Sequence, residues 1–198
     1  MTAAATMTAT KSPPRDNKRP QLLEAAARHF AEAGYDAASM RDIAAAAGMK
    51  AGSMYYYFPS KEDLLLAVHE EGIRWISKAV LAALKEQSGP WKRLEVAMGA
   101  HLQALLGGGD YARVVIKVPP REDLKSWTRL IALRDSYERI FAALIDALPL
   151  AASLDGRYVR LLILGAMNWS PNWFRSDGDQ PHDIAKSFVQ SLRYGECQ

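Results

Sequence analysis

The chain has 198 residues, 49% of them apolar and 24% charged, which is the make-up of a globular protein able to bury a real core in one large domain or two small ones. No apolar run reaches membrane-spanning length and the first residues lack the basic start and apolar core of a secretory leader, so a membrane partner and a secreted location are not expected. A formal net charge of +3 permits an anionic partner without demanding one, and the single cysteine, Cys197, excludes a disulfide scaffold and points to a reducing, cytoplasmic setting.

Residues 1–16 read as a disordered basic arm. Its start is rich in Ala and Thr, and Lys11, Arg15, Lys18 and Arg19 then face one acid, Asp16. Such a cluster binds phosphates non-specifically, and a solvated tail fits the composition as well. A first helix is expected from Asn17 or Lys18 to Ala33, with Leu23, Ala27 and Phe30 on one face and Gly34 as its stop. Ser39-Met-Arg-Asp42 resembles a capping box and opens a short helix to Ala47, closed by Gly48. A second short helix is predicted over Ala51 to Tyr57. Pro59-Ser60 breaks it, and Ser60 to Asp63 repeats the capping-box pattern at the head of a long helix reaching Lys85.

Five further helices are expected, over Trp91 to Leu106, Tyr111 to Lys117, Arg121 to Leu148, Gly156 to Phe174 and Pro181 to Tyr194, with Gly107-Gly108-Gly109 as a hinge or loop. Period-two alternation is absent apart from a short apolar stretch, Val114 to Val118, so the fold class is all-α. The expected organisation is a small unit of short helices over residues 17–63 and a larger helical unit over 64–198, sharing the long helix that starts at Ser60.

The informative stretch is Ser39 to Leu64, SMRDIAAAAGMKAGSMYYYFPSKEDL. Two short helices around a glycine turn are what a helix-turn-helix needs. Ile43 and Ala44 face inward, Ala47 lets the helices approach, Gly48 permits the turn and Met49 plugs the space between them. No acid stands between Met49 and Phe58, where phosphates would repel one. The outward residues Lys50, Ala51, Ser53, Tyr56 and Tyr57 offer a cation, a small apolar contact and hydroxyls suited to a major groove.

In these residues the chain resembles the tetracycline-repressor (TetR) family of regulators. Ile43-Ala44, Ala47-Gly48, Gly52-Ser53-Met54-Tyr55, Phe58, Ser60-Lys61 and Leu64 fall on the family's pattern, and so do Ala26, Phe30, Gly34 and Tyr35 before them. The resemblance implies a three-helix DNA-binding domain ahead of a helical ligand-binding and dimerisation domain, in a repressor of a palindromic operator that a small effector releases. It also implies roles: Arg41 as a base or phosphate contact, Ser53, Tyr55, Tyr57 and Lys61 as phosphate contacts, Tyr56 against base edges or thymine methyls, and Ser39 on a phosphate while capping its helix. Met49 replaces the commoner Val. Lys50 stands where a small or polar residue is frequent, so a phosphate contact, a guanine contact and a solvent-facing side chain all remain open. Tyr55 also reads as a core aromatic with its hydroxyl at the surface.

In the second unit, polar residues inside apolar helical runs mark candidate effector contacts. His101 lies among Met98, Leu102 and Leu105, and Asn168 stands beside Trp169. Each either anchors a ligand or makes one hydrogen bond within a core. With Leu105, Trp127 and Trp169 they form the candidate ligand set, in a pocket that the resemblance implies. Gly165-Ala-Met-Asn-Trp-Ser-Pro-Asn-Trp-Phe174, followed by Asp177-Gly178, resembles a subgroup tied to fatty-acid, acyl-CoA and steroid breakdown, which implies a small apolar or acyl-CoA-like effector. The helix from Gly156 is apolar nearly all round and must be covered on every side, and the last helix carries a stripe of Ile184, Phe188 and Leu192 flanked by Ala185 and Val189. A homodimer built on these two helices is expected, with an intrachain core as the alternative.

Two other functions compete. An enzyme lacks support: His29, His69, His101 and His182 are scattered, no nucleophile elbow, zinc helix or phosphate loop is present, and Asp177-Gly178-Asp179 lacks the spaced ligands of a calcium loop. No cofactor or metal is called for. A helical adaptor that binds no DNA is the second.

Overall fold

A computed structural model of the protein describes residues 18–107, 109–118 and 127–194; the arm, Gly108, the stretch 119–126 and the tail with Cys197 lie outside them, as does the side chain of Trp127. The described residues form nine α-helices and no strand. They are α1 (Arg19–Ala37), α2 (Met40–Ala46), α3 (Ala51–Met54), α4 (Lys61–Ala83), α5 (Pro90–Gly107), α6 (Gly109–Lys117), α7 (Trp127–Asp146), α8 (Gly156–Trp169) and α9 (Pro181–Tyr194).

The first helix starts with Pro20 in its first turn, where a missing N–H costs nothing. Gly34, the expected stop, adopts φ 79° and breaks the helical path, after which the chain makes a last turn to Ala37. At the end of α2 the Met49 amide donates to the Ala44 carbonyl (2.8 Å) and the Gly48 amide to that of Ala45 (3.0 Å). This is a Schellman closure around a left-handed residue, φ 64° at Gly48, and it sends the chain straight into α3. Ser39 occupies the cap of α2 without a side-chain hydrogen bond, so the expected Ser39–Asp42 box does not form. At the second, Ser60 Oγ accepts from the Asp63 amide (3.0 Å) and donates to the Asp63 carboxylate (2.7 Å), a side-chain cap, and the reading of Ser60 as the start of a long helix holds.

α3 and α8 stop well short of their expected ends. α3 is a single turn ending at Met54, and the amides of Tyr57 and Phe58 both return to the Met54 carbonyl, which curls the tyrosines into a turn. α8 ends at Trp169 and gives way to a 3-10 turn, Ser170–Asn172, because Pro171 cannot continue the ladder. α7 is helical from Trp127, the expected start at Arg121 lying outside the described residues.

Two cores result. The first joins α1, α2 and α3 to Leu64, Leu65, Ala67 and Val68 of α4, with Phe30, Ile43 and Met54 all but inaccessible. It also takes in Val114 of α6 and Val118 just after it, so the short apolar stretch is mostly helix and packs on the first unit. The second core lies among the far end of α4 and helices α5, α7, α8 and α9, around Met98, Leu102, Phe141 and Met167. Helix α4 runs through both.

Candidate functional site

The helix-turn-helix presents one surface. Arg41 on α2, Lys50 at the start of α3, and Ser53 are exposed, and Ala51 is half-buried. Tyr55 is 51% and Tyr56 75% exposed, so Tyr55 is a surface aromatic rather than a core one. Tyr57 is half-buried and packs on the first core, with the Tyr56 ring edge-on to it at 6.0 Å. Gly52, Ser53, Tyr56 and Tyr57 line one shallow concavity. Of the candidate DNA residues, Ser53, Tyr56 and Tyr57 share that concavity, and Arg41, Lys50 and Tyr55 are exposed besides, while Ala51 and Ser39 are half-buried, Ser39 at the α2 cap.

Lys61 differs from the rest. Its ammonium donates to the carbonyls of Tyr35 (2.8 Å), Asp36 (3.1 Å) and Ala38 (3.1 Å), and lies 4.5 Å from the centre of the Tyr35 ring. The side chain points along the end of α1, not outward.

A cavity of about 110 Å³ sits between α4, α5, α6, α7 and α8. Ile73, Ile76, Val115, Ile116 and Leu164 make its apolar walls, and His101, Tyr137 and Asn168 its polar end. His101 is 2% exposed, and its Nδ1 lies 2.6 Å from the Tyr137 hydroxyl. Burial lowers the imidazole from its ordinary 6.5 to about 4, with the Asn168 side chain working against that shift, and burial raises the Tyr137 phenol. The pair is therefore neutral near pH 7. A ring accepting from Tyr137 at Nδ1 carries its proton on Nε2. Nε2 has no partner at full hydrogen-bond geometry, while the Asn168 side chain lies near enough to the ring to act on its titration, so the polar end gathers His101, Tyr137 and Asn168. At the rim, Glu138 is shared by Arg134 (3.4 Å) and Arg160 (3.8 Å).

Of the candidate ligand residues, the structure brings His101 and Asn168 together. Leu105 lies in a neighbouring groove with Leu106, Arg113, Ile116, Lys117 and Phe174. Trp169 is 65% exposed on the far side of α8, away from the cavity. The side chain of Trp127 lies outside the described residues. Sequence reasoning passed over Tyr137, Arg134 and Glu138, because nothing in α7 taken alone says which way its polar side chains turn.

The outer face of α8 is apolar and open: Tyr158, Leu161, Leu162 and Trp169 are exposed, while Val159, Ile163, Leu164 and Met167 are buried. The helix is therefore not covered on every side within one chain. The α9 stripe divides as well. Ile184, Ala185 and Val189 are buried, with Ala185 close to Gly99 of α5, whereas Phe188 and Leu192 join Leu162, Ile163 and Ala166 around an outward-facing apolar groove.

Comparison with known proteins follows the same division. Residues 22–68 match the family model described as bacterial regulatory proteins, tetR family, and residues 87–195 match that of the tetracyclin repressor-like C-terminal domain. The chain is 30% identical over 133 residues to the HTH-type transcriptional repressor KstR2 of Mycobacterium tuberculosis (strain ATCC 25618 / H37Rv), a match spanning 67% of this chain and 66% of KstR2. It is 26% identical over 175 residues to the fatty acid metabolism regulator protein of Bacillus subtilis (strain 168), covering 84% of this chain and 89% of that one. The crystal structure of AibR in complex with isovaleryl coenzyme A and operator DNA superposes with a TM-score of 0.74 at 24% identity, over 87% of this chain and 96% of AibR, a likeness of fold.

Proposed function

The chain belongs to the tetR family of bacterial regulatory proteins, and from that premise we propose that it is a cytoplasmic, dimeric transcriptional repressor that leaves a palindromic operator when an acyl-CoA-like effector enters its helical domain. It acts by binding, not by catalysis. The observation that carries the reading is the position of α6. Ala112 and Val114 of this short helix and Val118 just after it are buried, the two valines within the core of the DNA-binding unit, while Val115 and Ile116 line the cavity. A ligand that widens the cavity presses on a helix that is also part of the reading head.

The chemistry of the site supports an amphipathic thioester. The cavity is small beside the ~300–1,000 Å³ of pockets that enclose drug-sized ligands, so it accepts the acyl group, with the His101 and Asn168 side chains at hand for the thioester oxygen. The groove next to it shares Ile116 and carries Arg113 and Lys117, cations suited to the phosphates of the nucleotide part. The names of the relatives point the same way, one a regulator of fatty acid metabolism and one a repressor.

On the DNA side, Arg41, Lys50, Ser53, Tyr55 and Tyr57 face phosphates, and Tyr56, with Ala51, faces base edges. The open face of α8 with Phe188 and Leu192 of α9 is covered by a second copy, which places two reading heads on one operator. Regulation requires that the effector bind the DNA-free state more tightly, and DNA must then weaken the effector by the same factor. Titrating acyl-CoAs of graded chain length, with and without operator duplex, tests this. Equal effector affinity in both conditions would leave the protein an unregulated DNA binder, and absence of salt-dependent duplex binding would favour the adaptor.

A further inference from the structure

We propose that Lys61 is a positioning residue, a clip that fixes the first turn of α4 to the junction between α1 and α2 and so sets the aim of α3. The inference rests on the DNA-binding reading above but goes against the phosphate contact that the sequence motif implies for this lysine.

An ammonium has three N–H donors and no more. Here all three have carbonyl partners, on Tyr35, Asp36 and Ala38, at 2.8, 3.1 and 3.1 Å. The three carbonyls converge for a local reason. Gly34, in its left-handed conformation, breaks the α1 ladder, and Ala38 is extended (φ −68°, ψ 129°), so the intervening backbone curls its oxygens toward one point. They lie at a helix C-terminus, where partial negative charge collects and a cation is favoured. The Tyr35 ring, 4.5 Å from the ammonium, adds a cation–π face. On the other side Lys61 is the first residue of α4, locked by the Ser60–Asp63 cap.

The clip thus closes a loop of chain that contains the whole of α2 and α3. A phosphate oxygen could reach Nζ only by displacing one of these carbonyls, leaving a backbone acceptor without a donor. Lys61 acts on DNA through the placement of Ser53, Tyr55 and Tyr56.

Two variants separate the roles. Lys61→Met removes charge and donors. Lys61→Arg keeps the charge but replaces a compact three-way donor by a planar fork that does not fit three convergent carbonyls. Operator affinity is read over a salt series, beside Lys50→Met, and amide hydrogen exchange over residues 38–43 is read in the free protein. A clip gives about tenfold weaker operator binding in both Lys61 variants, a salt slope equal to wild type, and faster exchange over 38–43. Lys50→Met, at a residue free to meet phosphate, lowers the slope by about 0.9. The proposal is overturned if Lys61→Arg binds like wild type while Lys61→Met loses about 0.9 of slope with exchange unchanged. If wild type binds no duplex the functional reading fails, and the exchange measurement alone still decides whether the clip exists.

Discussion

Replacing Gly72 by alanine tests the contact on which the coupling of the two units depends. Gly72 is a buried glycine inside α4, and a Cβ placed there would meet Val115 Cγ2 at 2.7 Å and the Tyr111 carbonyl oxygen at 3.0 Å. Carbon atoms normally stand about 3.5–4.0 Å apart; Val115 Cγ2 can swing away by a rotamer change, but the Tyr111 carbonyl is backbone, so α6 must give by a few tenths of an ångström. In an unobstructed helix, Gly→Ala stabilises by about 0.5–1 kcal/mol. Overpacking costs about 1–3 kcal/mol. The sign is therefore informative: Gly72→Ala should be net destabilising by about 1–2 kcal/mol in urea unfolding at unchanged m-value. Gly99→Ala in α5 is the companion measurement. There the new Cβ would sit at 3.5 Å from His182 Cα and 3.8 Å from Ala185 Cβ, ordinary contact distances, so the variant should be neutral or stabilised by up to about 1 kcal/mol. Gly72→Ala should also weaken operator binding without effector, because α6 belongs to both the cavity wall and the reading-head core. A Gly72→Ala protein more stable than wild type would refute the close α4–α6 crossing and the coupling argued from it.

Phe188→Asp should yield monomers by sedimentation or light scattering and lose operator binding, since it puts a charge in the apolar groove that α8 and α9 present outward; a dimer that persists would move the interface elsewhere. Tyr56→Ala should leave the unfolding midpoint unchanged, as a residue 75% exposed would, yet flatten the preference among operator base substitutions. Stability should also fall with acid. His101 and His69 are both held near 4 in the folded protein, chiefly by burial, against 6.5 unfolded, so the unfolded chain binds more protons between those values; the stability is complete above pH 6.5 and is lost as pH falls toward 4. For His101 the loss amounts to about 3 kcal/mol at pH 4, and His101→Gln should flatten the urea midpoint between pH 7 and pH 4.5 relative to wild type, leaving the His69 share.

The parts legible in the sequence are those decided within a few residues. Gly48 closes α2 through carbonyls three and five residues away, and Ser60 caps α4 through an amide three residues on, so both were readable as spacing. The cavity was not, because its lining comes from five helices and His101 meets Tyr137 across 36 positions. Nor are the Lys61 contacts legible there: its partners are backbone carbonyls 23 to 26 residues earlier, and a carbonyl has no letter in the sequence. Trp169 looked like an inner residue because an aromatic in an apolar run reads the same whether a chain's own core or a second chain covers it.

The single turn of α3 has a consequence for how much a genome can be told apart. One turn offers about three or four side chains to base edges, so one protomer specifies only a few base pairs, each wrong pair costing about 1–3 kcal/mol. Against the ~10⁶ or more competing sites of a chromosome, so short a word recurs by chance many times. Two protomers locked at a fixed separation read a sentence instead, and the spacing between half-sites becomes a letter in its own right. In the proposed dimer, address length is set at the face of α8 and not at the reading heads: a change there that altered the angle between protomers would redirect such a regulator to different promoters while the residues of α3 stayed the same.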